Sequence, residues 1–232
     1  MKFPAPLQKA TLLKRYKRFL SDMELPDGSE VVAHCANPGS MMGLVEPGSE
    51  VWLSANTNPK AKLDWRWELV RVDGQLVGIN TRHPNRIAEL AVAGGAIAEL
   101  TGYGTIRREV KYGENSRIDL LLEDDAKPTC YVEIKNVTLK REGFAEFPDS
   151  VTKRGAKHLG ELANMVAEGH RAVMFYLAQR NDCEGFRLAP DLDPGYAEAF
   201  EAATAAGVEA ICYACEISTD AIEIARPLPI VT

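Results

Sequence analysis

Two short runs decide how this chain is read: Arg117-Ile118-Asp119-Leu120-Leu121-Leu122 and, after a connector over residues 123–129, Cys130-Tyr131-Val132-Glu133-Ile134-Lys135. Both are apolar enough to form strands, and successive side chains on a strand point to opposite faces. Alternation places Ile118, Leu120 and Leu122 on one face and Arg117 and Asp119 on the other. In the second run Val132 and Ile134 share one face, while Tyr131, Glu133 and Lys135 share the opposite one. A connector this short predicts an antiparallel hairpin, so Asp119, Glu133 and Lys135 converge on one side of a sheet. Charges buried there are costly unless they are paired or hold a metal.

Two carboxylates with the Ile134 carbonyl between them make a hard-oxygen donor set suited to Mg²⁺ or Mn²⁺. Such an ion can activate water and offset charge on a phosphodiester. Lys135, two residues from Glu133 on the same face, is placed to orient that water or stabilise the same charge. Asp, a gap, then Glu-x-Lys is the PD-(D/E)xK nuclease pattern. Glu-x-Lys alone discriminates little, since Glu109-Val110-Lys111 is a second copy, but that copy has no strand-borne Asp upstream. The competing reading of Asp119, Glu133 and Lys135 is a salt-bridged cluster on a half-exposed sheet. Glu89, on a preceding helix, is either a further acid for the site or a solvated helix residue.

Working outward, residues 7–16, 18–23, 30–34, 50–55, 65–72 and 75–80 read as short strands. The turn signals Pro26-Asp27-Gly28, Asn37-Pro38-Gly39, Pro47-Gly48 and Asp73-Gly74 separate them. That spacing predicts a small OB-like barrel. Beyond His83-Pro84 the pattern changes: a helix is expected over 85–100, strands over 105–112, 117–122 and 130–137, and a helix over 151–168 capped by Asp149 or Ser150. A buried strand over 172–178, a helix over 194–206 and strands over 208–215 and 221–225 complete the chain. The expected division is 1–82 and 83–232.

The 232 residues carry 46% hydrophobic and 26% charged side chains, which argues against disorder. A net charge of -6 argues at first against a polyanion partner. The distribution reverses that argument. Residues 1–20 hold six basic side chains and no acid, whereas residues 181–232 hold ten acids and two arginines. Lys14, Arg15 and Arg18 lie among Tyr16 and Phe19, a mixture suited to phosphate contact and base stacking, or else a solvated strand edge. Lys153, Arg154 and Lys157 occupy the first turns of the 151–168 helix, where cations oppose the helix dipole unless an anion is expected. Arg117 joins them as a candidate phosphate contact. His158 is either another or a plain histidine. The Cys212-Cys215 pair sits within a strand-like run, with no second pair to complete a zinc site. The neighbours His34 and Cys35 precede a Pro-Gly turn and lack the geometry of a catalytic pair. No apolar run suits a membrane and no leader is evident, so the expected compartment is the cytoplasm, and five cysteines fit its reducing conditions.

Four segments carry a family resemblance: residues 34–41 (His-Cys-Ala-Asn-Pro-Gly-Ser-Met), 116–122 (Ser-Arg-Ile-Asp-Leu-Leu-Leu), 131–139 (Tyr-Val-Glu-Ile-Lys-Asn-Val-Thr-Leu) and 147–159, which opens Phe-Pro-Asp-Ser-Val-Thr-Lys-Arg-Gly. Over essentially its whole length the chain resembles the sugar fermentation stimulation protein A (SfsA) family. The resemblance implies an α+β, two-domain molecule, with an N-terminal all-β OB-like barrel and a C-terminal α/β PD-(D/E)xK restriction-endonuclease-like domain. It also implies DNA binding without sequence preference and a regulatory link to sugar (maltose) metabolism. Asp119, Glu133 and Lys135 map onto its nuclease motif. Two expectations stand: a DNA-binding protein with a Mg²⁺-dependent phosphodiesterase site, or a non-catalytic DNA-binding regulator. The oligomeric state is left open.

Overall fold

A computed structural model describes residues 1–114 and 116–231. Its N-terminal strands are β1 (Gln8–Tyr16), β2 (Leu20–Glu24), β3 (Glu30–Cys35), β4 (Glu50–Ala55), β5 (Trp65–Val72) and β6 (Gln75–Gly78). β1 pairs with β2 and β4, β2 with β3, and β4 with β5, all antiparallel. The parallel β3–β5 pairing closes the ring as a five-stranded OB-like barrel. Asp73 and Gly74 both take left-handed φ (50° and 78°), as the tight β5–β6 hairpin demands. Alternate residues Leu12, Met23, Ala33, Leu53 and Trp67 fill the barrel, with Met41 and Leu44 reaching in from the β3–β4 connection.

The second domain contains β7 (Thr105–Tyr112), β8 (Ser116–Asp124), β9 (Lys127–Val137), β12 (Arg171–Ala178), β14 (Glu209–Ile217) and β15 (Ile222–Pro227), in the order β15-β14-β12-β9-β8-β7. β12 runs parallel to both neighbours, and its Ala-Val-Met-Phe-Tyr-Leu-Ala run is apolar on both faces, as a central covered strand requires. Val173, Phe175 and Leu177 pack with α1 (Pro84–Ala93); Met174, Tyr176 and Ala178 pack with α2 (Lys153–Ala167) and α3 (Pro194–Ala205). Among the described residues no helix is long and apolar enough to cross a membrane.

Several expectations are corrected. The helix predicted over 85–100 stops at Ala93, because Gly94-Gly95 follows and Gly95 is left-handed (φ 70°). α2 is capped by Thr152, whose side chain accepts from the Gly155 amide at 3.1 Å; Asp149 and Ser150 lie outside the helix. Asp149 instead accepts from the Met41 amide of the barrel (3.1 Å). A second sheet was not anticipated: β10 (Leu139–Arg141), β11 (Phe144–Phe147) and β13 (Gly185–Leu188) pair in the order β10-β11-β13. Its buried Glu146 is clasped by Arg141 and Arg187.

Side chains from both domains fasten them together. Gln179, fully buried, accepts the Gly78 amide on its main-chain carbonyl and donates from its side chain to Asn136 Oδ1 (2.6 Å). Buried Glu68 of β5 accepts from Ser54 (2.6 Å) and Asn80 (2.8 Å) and contacts His83 Nε2 (2.7 Å), just before α1 begins.

Candidate active site

The sheet forks at Asp119. The β8–β9 ladder runs through Leu122↔Cys130, Leu121↔Tyr131 and Leu120↔Val132 and then ends. On the other side the β7–β8 register steps from Arg108↔Leu120 to Val110↔Ile118, skipping the position of Glu109, which is left-handed (φ 52°). The alternation expected of 118, 120 and 122 therefore breaks. Ile118 and Leu121 enter the core under α2, while Leu120 and Leu122 enter the core under α1. The local change of face at Asp119 accounts for the departure from simple period two. Where a ladder bond would continue, Asp119 Oδ2 accepts the Ile134 amide at 2.7 Å. From the start of α1, Asn85 donates to Asp119 Oδ1 at 2.7 Å.

The fork brings Asp119, Glu133 and Lys135 together. Glu133 is 3% exposed. Its Oε1 accepts from Lys135 Nζ at 2.8 Å and from His158 Nδ1, while Oε2 is buried without a hydrogen-bond partner among the described residues. His158 Nε2 accepts from Arg154 Nε at 3.2 Å, which leaves Nδ1 to donate to Glu133. His158 is thus buried against the carboxylate, with both nitrogens occupied; it does not offer the surface expected of a phosphate contact.

The two acids are driven apart in pKa. Burial, then the nearby charge of Glu133, pushes Asp119 up to about 6. Burial acts in the same sense on Glu133, but His158 and Lys135 outweigh it and hold that carboxylate below its ordinary value. Tyr112, whose buried hydroxyl also lacks a partner among the described residues, is pushed up by burial and by Glu133, Glu161 and Asp119. Such divided protonation within one cluster is a mark of functional sites as well as of some structural ion pairs. The residues fit a hard divalent cation: two carboxylates converge, and one buried carboxylate oxygen has no donor.

The other candidates divide. Glu89 pairs with Arg86 (2.6 Å) and Arg108 (3.5 Å), and Asn85, one turn earlier, is the helix residue that reaches Asp119. Glu109, dismissed with the second Glu-x-Lys copy, does approach the site: Asn85 Nδ2 lies 3.4 Å from its Oε1. Neither Asn85 nor Glu109 carries a signal that spacing alone could reveal. Arg117 donates to the Glu109 carbonyl (3.0 Å), and Lys157 to the Glu114 carbonyl (2.8 Å). Lys153 and Arg154 are exposed at the start of α2. In the barrel Lys14 pairs with Asp22 (3.1 Å). Arg15 is bonded to the carbonyls of Asn37 (2.9 Å) and Gly39 (3.0 Å), and Arg18 is exposed on the β1–β2 turn.

Comparison with known proteins matches two family models. The SfsA N-terminal OB domain covers residues 13–79, and the sugar fermentation stimulation protein RE domain covers residues 82–221. A sugar fermentation stimulation protein homolog from Paramagnetospirillum magneticum is 61% identical over 228 residues, 98% of this chain and 97% of that one. One from Rhodospirillum centenum is 60% identical over 229 residues, 98% of each chain. The solved structure of Pyrococcus furiosus SfsA in complex with Ca²⁺ superposes with a TM-score of 0.90 at 25% identity, covering 100% of this chain and 98% of that one.

Proposed function

The chain belongs to the sugar fermentation stimulation protein family, and on that premise we propose that it binds DNA largely without regard to sequence and hydrolyses phosphodiesters at the Asp119–Glu133–Lys135 site with Mg²⁺ or Mn²⁺. The observation that carries the reading is the fork: it buries two acids of opposed pKa beside a lysine and leaves Glu133 Oε2 without a donor. The Ca²⁺ held by the Pyrococcus furiosus relative supports a divalent cation.

Asp119, Glu133 and the Ile134 carbonyl are the groups that would hold the ion, and a bound Mg²⁺ or Mn²⁺ would acidify water and offset phosphate charge. Asn85 and the Ile134 amide fix the Asp119 carboxylate. His158 fixes Glu133 and is itself fixed by Arg154. Lys135, 12% exposed at its side chain, keeps a cation at the site that can orient water or meet charge developing on a phosphate oxygen. Lys153 and Arg154 extend positive charge from that point to the surface and serve as phosphate contacts. Five buried, unpaired cysteines agree with a cytoplasmic location.

The test incubates the protein with single-stranded, duplex and branched DNA and with RNA, in Mg²⁺, Mn²⁺ or EDTA. Metal-dependent cleavage should fall at least about 100-fold in Glu133→Gln and in Lys135→Ala while DNA binding persists, the size of loss typical for removing one electrostatic stabiliser. If no substrate is cut and binding is retained, the molecule is the non-catalytic DNA-binding regulator instead.

A further inference from the structure

The nuclease site leaves two of the sequence segments unexplained, residues 37–40 of the barrel and residues 147–152 ahead of α2. They face one another across a cleft of about 760 Å³ between the domains. Its walls are fixed in place. Ser40 Oγ donates to the Asp149 carbonyl (2.8 Å), and the Met41 amide donates to Asp149 Oδ2 (3.1 Å). A Cβ on Gly39 would stand 2.6 Å from Asp149 Oδ2, so a side chain there would push the Asp149 carboxylate away from the Met41 amide. The cleft is therefore preformed.

Its charge is positive on the barrel side. Among the described residues Arg15 is bonded to main-chain carbonyls and pairs with no acid, and Arg18 extends beside it without an ion pair. Of the two acids lining the cleft, Glu146 is clasped by Arg141 and Arg187, and Asp149 is occupied by the Met41 amide. On the far wall Val151 is 66% exposed. The floor includes Asn136, the residue after Lys135 on β9.

Cations to meet phosphates, an exposed apolar side chain at Val151 and polar lining groups suit a single nucleic-acid strand. The volume lies within the range of small-ligand pockets, about 300–1,000 Å³, the scale of a nucleotide or two. Resting on the nucleic-acid reading above, we propose that this cleft holds a single-stranded segment of DNA, so that the substrate is DNA with an unpaired stretch rather than continuous duplex.

The test can be made without cleavage. All five native thiols are buried, so Ser150→Cys provides a single accessible site for an environment-sensitive dye on the cleft wall. In EDTA, a short oligothymidylate should change the dye emission at a concentration about tenfold lower than a blunt duplex of equal length, and Arg18→Glu should raise that concentration about tenfold. Lys60→Glu, at an exposed loop position, should leave it unchanged. The proposal is overturned if duplex and single strand perturb the dye equally, if the strand binds by anisotropy without perturbing the dye, or if Arg18→Glu has no effect. Oligouridylate acting as strongly overturns the assignment to DNA. Because EDTA suppresses any hydrolysis, a failed nuclease assay leaves this result intact. Duplex cleavage in Mg²⁺ with no dye response would refute the cleft and spare the nuclease.

Discussion

Asp119→Asn should stabilise the metal-free protein, and by an amount that depends on pH. Burial and the Glu133 charge raise the Asp119 carboxyl from 3.8 in a free chain to about 6 in the folded one. A raised acid means that the folded state binds its proton more tightly than the unfolded state does. Stability is therefore lost as pH climbs from 3.8 towards 6, and the full penalty is present above 6. Linkage gives a penalty of about 3 kcal/mol at pH 7.5 and about 1 kcal/mol at pH 4.5. Asparagine carries no charge to repel Glu133 at either pH, and its amide oxygen can still accept one of the two bonds that Ile134 and Asn85 supply. Any loss from the other bond is independent of pH and cancels between the two conditions. Urea unfolding in EDTA should show the difference between variant and wild type shifting by about 2 kcal/mol in favour of the variant from pH 4.5 to 7.5. A difference that stays constant with pH, or moves the other way, refutes the placement of a repelled acid at the fork.

Gly39→Ala should cost about 1–3 kcal/mol by forcing its Cβ against Asp149, and markedly less in an Asp149→Ala background; additive costs in the double-mutant cycle would contradict the contact. Glu68→Ala removes a buried carboxylate from Ser54, Asn80 and His83 and should lower stability by about 3–5 kcal/mol in thermal or urea unfolding, whereas a loss under about 1 kcal/mol would show that the junction does not depend on it. Ellman's reagent should find no reactive thiol in the native protein and all five in denaturant, since burial pushes Cys130 and Cys183 to about 11 and Cys215 to about 12; rapid native labelling would refute that burial.

Much of the fold could be read because apolar periodicity is a local signal. The run over 172–178 is apolar on both faces and became the central strand β12, and the hairpin of β8 and β9 followed from alternation across a short connector. Ring closure had no such signal: the parallel β3–β5 pairing joins residues as distant in sequence as Ala33 and Trp65. The small sheet has no periodic signal because β10, β11 and β13 span only three or four residues and carry Arg141, Glu146 and Arg187, whose charges are matched only in three dimensions. Helix α1 is shorter than its alanine-rich continuity predicts, because Gly94-Gly95 stops it at Ala93.

The site shows the same division at finer scale. Spacing was enough to bring Asp119, Glu133 and Lys135 to one place, but it assumed an unbroken ladder, and the ladder ends at Leu120↔Val132. That ending has a chemical consequence. A strand continuing past Asp119 would satisfy the Ile134 amide with a main-chain carbonyl and leave the acid free to turn to solvent. Here the carboxylate itself takes that bond, so Asp119 is held by the backbone of the strand that carries Glu133. The acids are fixed relative to each other although they repel, and Asn85 and His158 brace them from opposite helices. The repulsion that a cation would relieve is thus built into the same hydrogen bond that sets the spacing. Asn85 and His158 were not legible as partners because their roles come from where α1 and α2 begin, on either side of the sheet, and not from any spacing along the chain.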